Sequence, residues 1–346
     1  MSAPDRIAVL GAGSWGTALA NSLAPRHAVT LWEYQPDVAA ELARTRTNEA
    51  YLPGVALADA LTITSDLAAA VDGAPLWLVV VPSQAVRSVT AQLGPYLTPD
   101  TTIVSAAKGI EIDTLLTTSA VVRDTLPAAD PERVGVLYGP SHAEEVGQGQ
   151  PTTLVSAMPT VAMSEAVQEI FMTPALRVYT NPDVVGVEVA GSVKNVMALA
   201  AGMADGLGLG DNAKAALVTR GLAEITRLGL AMGAQAHTFA GLAGIGDLVV
   251  TCFSRHSRNR GFGERIGRGM SMDEALGASR MVVEGVKTTR SVRALAERHG
   301  VEMPITDAVY AILFDGLDAG DAVHALMTRD PKLEGEAPGG FDGTEA

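Results

Sequence analysis

The sequence has a single cysteine, Cys252, and only five lysines among its 25 basic residues. One cysteine excludes an intrachain disulfide framework and a zinc site with several thiolate ligands, and it fits a reducing compartment. The 25 basic residues are outnumbered by 39 acidic residues, which gives the chain a formal net charge of −14. No global positive field therefore exists to hold a nucleic acid or an anionic membrane, so an anionic ligand needs a local cluster of donors.

Targeting and membrane signals are also missing from the sequence. The first residues lack the basic and apolar regions of a signal peptide, and no stretch approaches the roughly 18 apolar residues of a membrane span. We expect a cytoplasmic protein without membrane insertion or a nucleic-acid partner. No metal-ligand spacing is visible, so we expect no metal. The length of 346 residues, 47% of them hydrophobic, is enough for two globular domains.

The first half of the chain alternates short apolar runs with helical patterns. The run over residues 76–81 is apolar at every position, which is typical of parallel strands covered on both faces. The sequence predicts an α/β domain over residues 1–183, with a doubly wound parallel sheet whose strands cover residues 7–10, 28–32, 76–81, 102–106, 134–138 and 153–157.

The second half carries helical periodicity and few strand-like segments. Turn residues cluster at Asn181, Pro182 and Asp183, which places the boundary there. We predict an all-α domain over residues 184–331, with helices at 187–203, 212–232, 261–269, 272–278, 288–300 and 305–313. Residues 332–346 are rich in glycine, proline and acids, and we expect them to form a disordered tail.

A glycine-rich turn follows the first predicted strand. Gly11, Gly13 and Gly16 match G-x-G-x-x-G, and the residues after them open a predicted helix. Glycines permit the tight turn, close approach of a pyrophosphate and packing of the helix on the strand, while the helix N-terminus attracts negative charge. In this setting the turn predicts a Rossmann-like domain that binds NAD or NADP; a purely structural turn is the alternative.

The end of the second predicted strand bears on the choice of cofactor. Glu33 lies about 20 residues beyond the glycines, where an acid bonds the adenosine ribose 2′-hydroxyl and repels a 2′-phosphate. This favours NAD. Glu33 could instead point to solvent with Tyr34 near the adenine, so the preference stays open. Loops after later strands, which carry Ser83, Lys108 and Ser141, are expected to converge on the same crevice.

A lysine occurs within an apolar helical segment of the second domain. Burial of Lys194 among small and apolar residues lowers the pKa of its ammonium and suits it to proton exchange near neutral pH. A lysine that reaches the surface or forms a structural ion pair is the alternative. Asp247, in a glycine-rich turn, is expected to meet Lys194 or a substrate hydroxyl, unless it only caps the following helix.

A basic segment over residues 254–268 has five arginines and one glutamate. Ser257, Arg258 and Asn259 lie just ahead of a predicted helix, so their side chains and free backbone donors suit a phosphate. A solvated basic face or an RNA contact is the alternative. Residues 282–285 are expected to form a short apolar strand or turn. Cys252 has no evident histidine partner and is expected to be a core or lining thiol.

Together these segments resemble the bacterial type of NAD(P)-dependent glycerol-3-phosphate dehydrogenase, over residues 7 to about 326. The resemblance is carried, in order and spacing, by GAGSWGTA (11–18), AKG (107–109), GPS (139–141), VKN (193–195), GDL (246–248), SRNR (257–260) and VVEG (282–285). It implies interconversion of dihydroxyacetone phosphate and glycerol 3-phosphate, a role in phospholipid synthesis, and a homodimer.

The resemblance also implies roles for individual residues. Lys194 would be the catalytic residue that exchanges the proton. The substrate would contact Lys108, Gly139, Ser141, Lys194, Asp247, Ser257, Arg258 and Asn259. Besides the glycines and Glu33, the cofactor would contact Ser14, Trp15, Tyr34, Lys108, Ala143, Arg258, Val282 and Glu284. Several members of the family carry a basic residue or histidine where Tyr34 stands, which puts a preference for NADPH in doubt.

Two other functions remain as alternatives. A 6-phosphogluconate or 3-hydroxyacyl-CoA dehydrogenase shares the expected architecture, but the SRNR run and the placement of Lys194 favour the triose-phosphate substrate. A catalytically silent dinucleotide sensor is a candidate from another class. A buried lysine, an acid and an anion site argue against it, because a binding protein has no need of a proton-transfer group.

Overall fold

A computed structural model describes residues 5–278 and 282–331, and its first part is an eight-stranded sheet. The strand order is β10-β9-β8-β7-β6-β1-β2-β5, so the chain builds the sheet outward from β1 first on one side and then on the other. A separate two-stranded antiparallel ribbon joins β3 to β4. The strands are β1 Arg6–Leu10, β2 Ala28–Trp32, β3 Thr47–Asn48, β4 Leu52–Ala56, β5 Thr62–Thr64, β6 Leu76–Val79, β7 Thr102–Ser105, β8 Val134–Tyr138, β9 Thr152–Ala157 and β10 Leu176–Asn181.

All six predicted strands are present in this sheet, because continuous apolar runs are buried on both faces; β6 is buried at every position. The prediction of a parallel sheet holds for every neighbouring pair except β8 and β9, which run antiparallel. This pair corrects the prediction. Only residues 139–151, which include one short helix, join the two strands, so the chain reverses instead of crossing over.

Helices cover the faces of the sheet. They are α1 Ser14–Leu23, α2 Pro36–Thr45, α3 Leu67–Val71, α4 Val86–Thr90, α5 Thr118–Thr125, α6 Ala143–Gly147 and α7 Val161–Phe171. The turn between β1 and α1 lies at the carboxyl end of β1, beside the ends of β6 and β2. The topology thus leaves a crevice at this edge of the sheet, which is where ligands of doubly wound folds lie.

The second part of the chain is helical, as predicted. Its helices are α8 Val184–Gly206, α9 Asp211–Ala231, α10 Ala236–Phe239, α11 Asp247–Phe253, α12 Arg258–Gly267, α13 Met272–Gly277, α14 Glu284–His299, α15 Pro304–Phe314 and α16 Ala319–Met327. Helix α8 is apolar or small on almost every side, and the helices packed around it are α9, α10, α11, α12, α14 and α15. Glycines let α12 approach closely, because a Cβ on Gly202 would lie 1.9 Å from the Arg260 carbonyl oxygen.

The tail predicted to be disordered, residues 332–346, lies outside the described residues. By the criteria of length and composition, the expectation that no segment approaches a membrane span was wrong. Within the described ranges, two helical segments are long and apolar enough to cross a membrane: α8, and Ala236–Phe253, which runs from α10 through a π-helical turn at Leu242–Gly246 to α11. Of the most apolar 18-residue window in each, 94% and 44% respectively is buried inside the protein. The core helix of a folded domain passes the same test, so this is weak evidence for a membrane span.

Candidate active site

The turn after β1 has the geometry that its glycines were predicted to provide. Gly11 has φ +117°, and a Cβ there would lie 3.0 Å from the backbone of Val80, on the neighbouring β6 side. A Cβ on Gly16 would lie 1.9 Å from the Gly11 carbonyl oxygen, so helix α1 packs directly on the turn. Around Gly13, by contrast, nothing lies within 4 Å of a Cβ position.

Gly13 is also the N-cap of α1, and no side chain caps it. Ser14 and Trp15 begin the helix, and Trp15 packs against the core of the sheet part. The backbone nitrogens at the start of the helix, the open space at Gly13 and the positive end of the helix dipole fit the pyrophosphate of a dinucleotide.

Glu33 directly follows β2 and is only 7% exposed. Its Oε1 accepts a hydrogen bond from the backbone nitrogen of Gln35 at 3.1 Å, and burial raises the pKa of its carboxyl group. The alternative in which Glu33 points to solvent is therefore wrong, whereas Tyr34 is 67% exposed at the rim. The acid thus stands at the end of β2, the place where doubly wound folds carry an acid for a ribose hydroxyl.

Two lysines from different parts of the chain converge on one carboxylate. Lys194, near the middle of α8, donates to Asp247 Oδ1, while Lys108 donates to Asp247 Oδ2 at 2.8 Å and to the Gly139 carbonyl oxygen at 3.0 Å. Asp247 is 1% exposed and Lys194 is 5% exposed. Asp247 is the first residue of α11, and its side chain binds the two ammonium groups, so the capping alternative is not what this geometry shows.

The electrostatics of this cluster suit proton exchange. The pKa of Lys194 is lowered to about 7, chiefly because burial disfavours the charged ammonium. The nearby charge of Lys108 acts in the same direction, while the attraction to Asp247 opposes both effects. Lys194 Nζ also donates to Thr251 Oγ1 at 2.8 Å. An ammonium with a pKa near the working pH can give and regain a proton.

The N-terminus of α12 lies next to this cluster in the helical part. Ser257 is its N-cap and accepts a hydrogen bond from the Arg260 backbone nitrogen at 3.2 Å. The side-chain nitrogen of Asn259 donates to Asn195 Oδ1 at 3.0 Å, and its oxygen accepts from the Gly285 nitrogen at 2.9 Å. Asn259 therefore joins α12 to α8, beside Lys194, and to α14.

The other predicted residues lie along the same crevice. Arg258 is exposed, and its guanidinium donates to the Val282 carbonyl oxygen at 3.3 Å. Residues 282–285 do not form a strand, because helix α14 begins at Glu284. Glu284 accepts from Ser83 Oγ at 2.8 Å, which connects α14 to the loop after β6. Ser141 donates to Gly139 O at 3.1 Å, and Ala143 is buried at the start of α6.

Three polar residues of this site were not predicted from the sequence. Thr251 lies four residues after Asp247 on α11, a helical spacing that could have indicated it. Tyr138 and Glu188 are buried side chains whose partners are distant in sequence, so no local signal points to them. Within residues 5–278 and 282–331, no group of three or more His, Cys, Asp or Glu side chains is arranged to hold a metal.

A sheet with a glycine turn at its crevice, joined to helices that supply a buried lysine, defines the class of NAD(P)-dependent dehydrogenases with a Rossmann-like domain. Comparison with known proteins narrows this class. The family model for the N-terminus of NAD-dependent glycerol-3-phosphate dehydrogenase matches residues 6–164, and the model for its C-terminus matches residues 183–324.

Curated relatives and a solved structure agree with these models. A protein of Salinibacter ruber named NAD(P)-dependent glycerol-3-phosphate dehydrogenase is 55% identical over 97% of this chain and 98% of its own length. One of Geobacter sulfurreducens is 54% identical over 95% of this chain and 99% of its own length. The crystal structure of glycerol-3-phosphate dehydrogenase from Coxiella burnetii has a TM-score of 0.90 at 41% identity, and the match covers 94% of this chain and 99% of that one.

The chain belongs to the family of NAD-dependent glycerol-3-phosphate dehydrogenases. This confirms the resemblance that the motifs predicted, and with it the fold class and the assignment to the NAD(P)-dependent oxidoreductases. The 6-phosphogluconate, 3-hydroxyacyl-CoA and sensor alternatives are not favoured.

Proposed function

We propose that this protein reduces dihydroxyacetone phosphate to glycerol 3-phosphate with NADH or NADPH, and that Lys194 is the residue that exchanges the proton. The observation that carries the proposal is the convergence of Lys194 and Lys108 on Asp247 at the carboxyl edge of the sheet. One buried and one partly buried ammonium group around a buried acid are costly to build, and they can stabilise a developing alkoxide.

The substrate lies between the two parts of the chain in this proposal. Its reacting carbonyl faces Lys194, and Lys108, Gly139, Ser141 and Asp247 surround the adjacent groups. Its phosphate is held by Arg258 and by the N-terminus of α12 at Ser257 and Asn259, where backbone donors and the helix dipole favour negative charge. Binding of the phosphate orients the carbonyl for reaction.

The residues that would hold the cofactor extend from the glycine turn to Glu284. Its pyrophosphate would be bound by Gly11, Gly13, Ser14, Trp15 and Gly16, its adenosine ribose by Glu33 and Tyr34, and its nicotinamide end by Lys108, Ala143, Arg258, Val282 and Glu284. The burial of Glu33 supports NADH over NADPH, because a carboxylate there binds a ribose hydroxyl and repels a 2′-phosphate.

When bound, the nicotinamide supplies hydride to the carbonyl carbon of the substrate. Two electrons of the hydride form the new C–H bond, and the carbonyl π electrons move onto oxygen. Lys194 Nζ then gives that oxygen a proton and becomes a neutral amine, which Asp247 and Thr251 hold in place. In the reverse direction the amine accepts the proton from the hydroxyl.

The remaining expectations are part of the proposal. Residues 1–183 and 184–331 form two domains, which is supported by the break between the two family models and by the start of α8 at Val184. We further infer a cytoplasmic homodimer that has no nucleic-acid partner and no membrane insertion, and that supplies glycerol 3-phosphate for phospholipid synthesis.

The test is to follow oxidation of NADH and, separately, of NADPH by the purified protein with dihydroxyacetone phosphate. We expect turnover with both substrates present and a faster rate with NADH. Faster use of NADPH would refute the role of Glu33 in cofactor choice. Binding of either cofactor without turnover would refute the catalytic proposal and favour the sensor.

A further inference from the structure

Glu188 lies on α8 almost two turns before Lys194 and is 1% exposed. Its carboxylate accepts hydrogen bonds from Thr117 Oγ1 at 2.8 Å, Thr118 Oγ1 at 3.0 Å, the Ser119 nitrogen at 2.8 Å and Ser119 Oγ at 2.5 Å. These donors form the N-terminus of α5, whose N-cap Thr117 makes no capping bond of its own. Glu188 therefore caps α5 from another helix and ties α8 to the sheet part.

A second set of contacts connects this cap to Lys108. Tyr138 is fully buried, its hydroxyl donates to the Ala107 carbonyl oxygen, and it lies 3.3 Å from Thr118 Oγ1. Lys108 Nζ is 5.5 Å from the centre of the Tyr138 ring. The carbonyl group just before Lys108 is thus bound by the Tyr138 hydroxyl, which contacts the Thr118 hydroxyl that donates to Glu188.

Helix α8 crosses the Tyr138 ring at close range. A Cβ on Gly191 would lie 2.5 Å from the ring, so only glycine permits this approach. Glu188, Gly191 and Lys194 recur at intervals of three residues and therefore share one side of α8. That side meets the α5 cap, the ring and the Asp247 cluster in turn.

We propose that Glu188 is a positioning residue, which sets α8 against the Ala107–Lys108 loop so that Lys194 and Lys108 reach opposite oxygens of Asp247. The kinetic part of this inference rests on the proposed function. The carboxylate of Glu188 takes no part in the proton transfer itself, because all of its partners described above are groups of α5. A shift of α8 by about 1 Å would be enough to reduce the rate about 10²-fold.

The test compares Glu188→Ala and Glu188→Gln with Glu224→Ala as a matched control. Glu224 is also a buried glutamate, 2% exposed, that accepts hydrogen bonds from a helix N-terminus, at the Ile305 and Thr306 nitrogens of α15. We expect Glu188→Ala to lower kcat about 10²-fold with unchanged NADH affinity. Glu188→Gln should restore most of kcat, because an amide of the same shape can serve the same donors once the hydroxyls rotate.

A merely structural role predicts a different pattern. The inference is overturned if Glu188→Ala and Glu224→Ala both lower Tm and neither changes kcat. It is also overturned if kcat of Glu188→Gln is as low as that of Glu188→Ala. Should Glu188→Ala fail to fold, Tyr138→Phe decides. This change removes the Tyr138 hydroxyl, one of the two hydroxyls that donate to the Ala107 carbonyl oxygen. An unchanged kcat in that variant would overturn the inference.

A readout that does not need turnover separates this inference from the proposed function. The pKa of Lys194 can be measured from the pH dependence of its acylation, mapped by mass spectrometry. Displacement of Lys194 from Asp247 removes the attraction that raises this pKa. We expect a lower pKa in Glu188→Ala than in the wild type and no change in Glu224→Ala. An unchanged pKa in Glu188→Ala would contradict the inference even if the wild type proved inactive.

Discussion

Replacement of Lys194 by methionine should abolish turnover and leave cofactor binding nearly intact. Methionine matches the length of the lysine stem and suits the apolar surroundings of α8, where Lys194 is 5% exposed. The variant loses the proton donor and the charge that stabilises the forming alkoxide. A positioned general acid contributes about 10²–10⁴-fold to a rate, so we expect kcat to fall by at least that range.

The structure predicts little loss of stability from this change. Asp247 keeps its ion pair with Lys108 at 2.8 Å, so its buried carboxylate is not left without a partner. The variant also removes the cost of burying an ammonium, which is the cost that lowers the pKa of Lys194 to about 7. Tm should therefore stay close to that of the wild type.

The assay follows NADH oxidation by dihydroxyacetone phosphate, with NADH affinity measured separately by calorimetric titration. Lys214→Met is the matched control, because Lys214 is also a buried lysine, on α9, that pairs with an acid, Asp205. The control should retain kcat. Ordinary turnover by Lys194→Met, or an equal loss of kcat in the control, would refute the reasoning.

Three further predictions follow from the same geometry. Because the ammonium of Lys194 is the proton donor and its pKa is about 7, kcat for reduction should fall as pH rises through 7, while kcat for oxidation should rise; flat pH profiles in both directions would contradict this. Arg258→Ala should raise KM for dihydroxyacetone phosphate about 10- to 100-fold, more than KM for NADH, and unchanged saturation curves would contradict the phosphate site. Gly16→Ala should lower the free energy of unfolding by about 1–3 kcal/mol, because the added Cβ meets the Gly11 carbonyl oxygen; denaturant titration measures this loss. Gly13→Ala should instead weaken NADH binding and leave the fold intact, which calorimetric titration with NADH measures.

Local sequence was sufficient for much of the fold. The β6 segment is apolar throughout, and such a run is compatible with a strand that is covered on both faces. The glycine turn was also readable, because tight turns and close helix packing require glycine at particular spacings. Four short or half-exposed strands, β3, β4, β5 and β10, escaped prediction, since their patterns are too brief or too polar to differ from loops.

The antiparallel run of β9 was a different kind of miss. Residues 152–157 were predicted as a strand, but strand direction depends on the connection and on the neighbouring strands. The apolar pattern of a buried strand is the same for both directions. Only the assembled sheet decides between them.

For the site, the sequence alone determined which residues are chemically suited to it: a lysine in an apolar helix, an acid in a glycine-rich turn, and a serine and arginine at the start of a helix. The tertiary structure decided which of them meet. Lys108 and Asp247 are 139 positions apart, and their pairing depends on how α8 and α11 pack on the sheet. The capping of α5 by Glu188 has the same origin, because an ion pair or cap between distant segments leaves no periodic or local mark in the sequence.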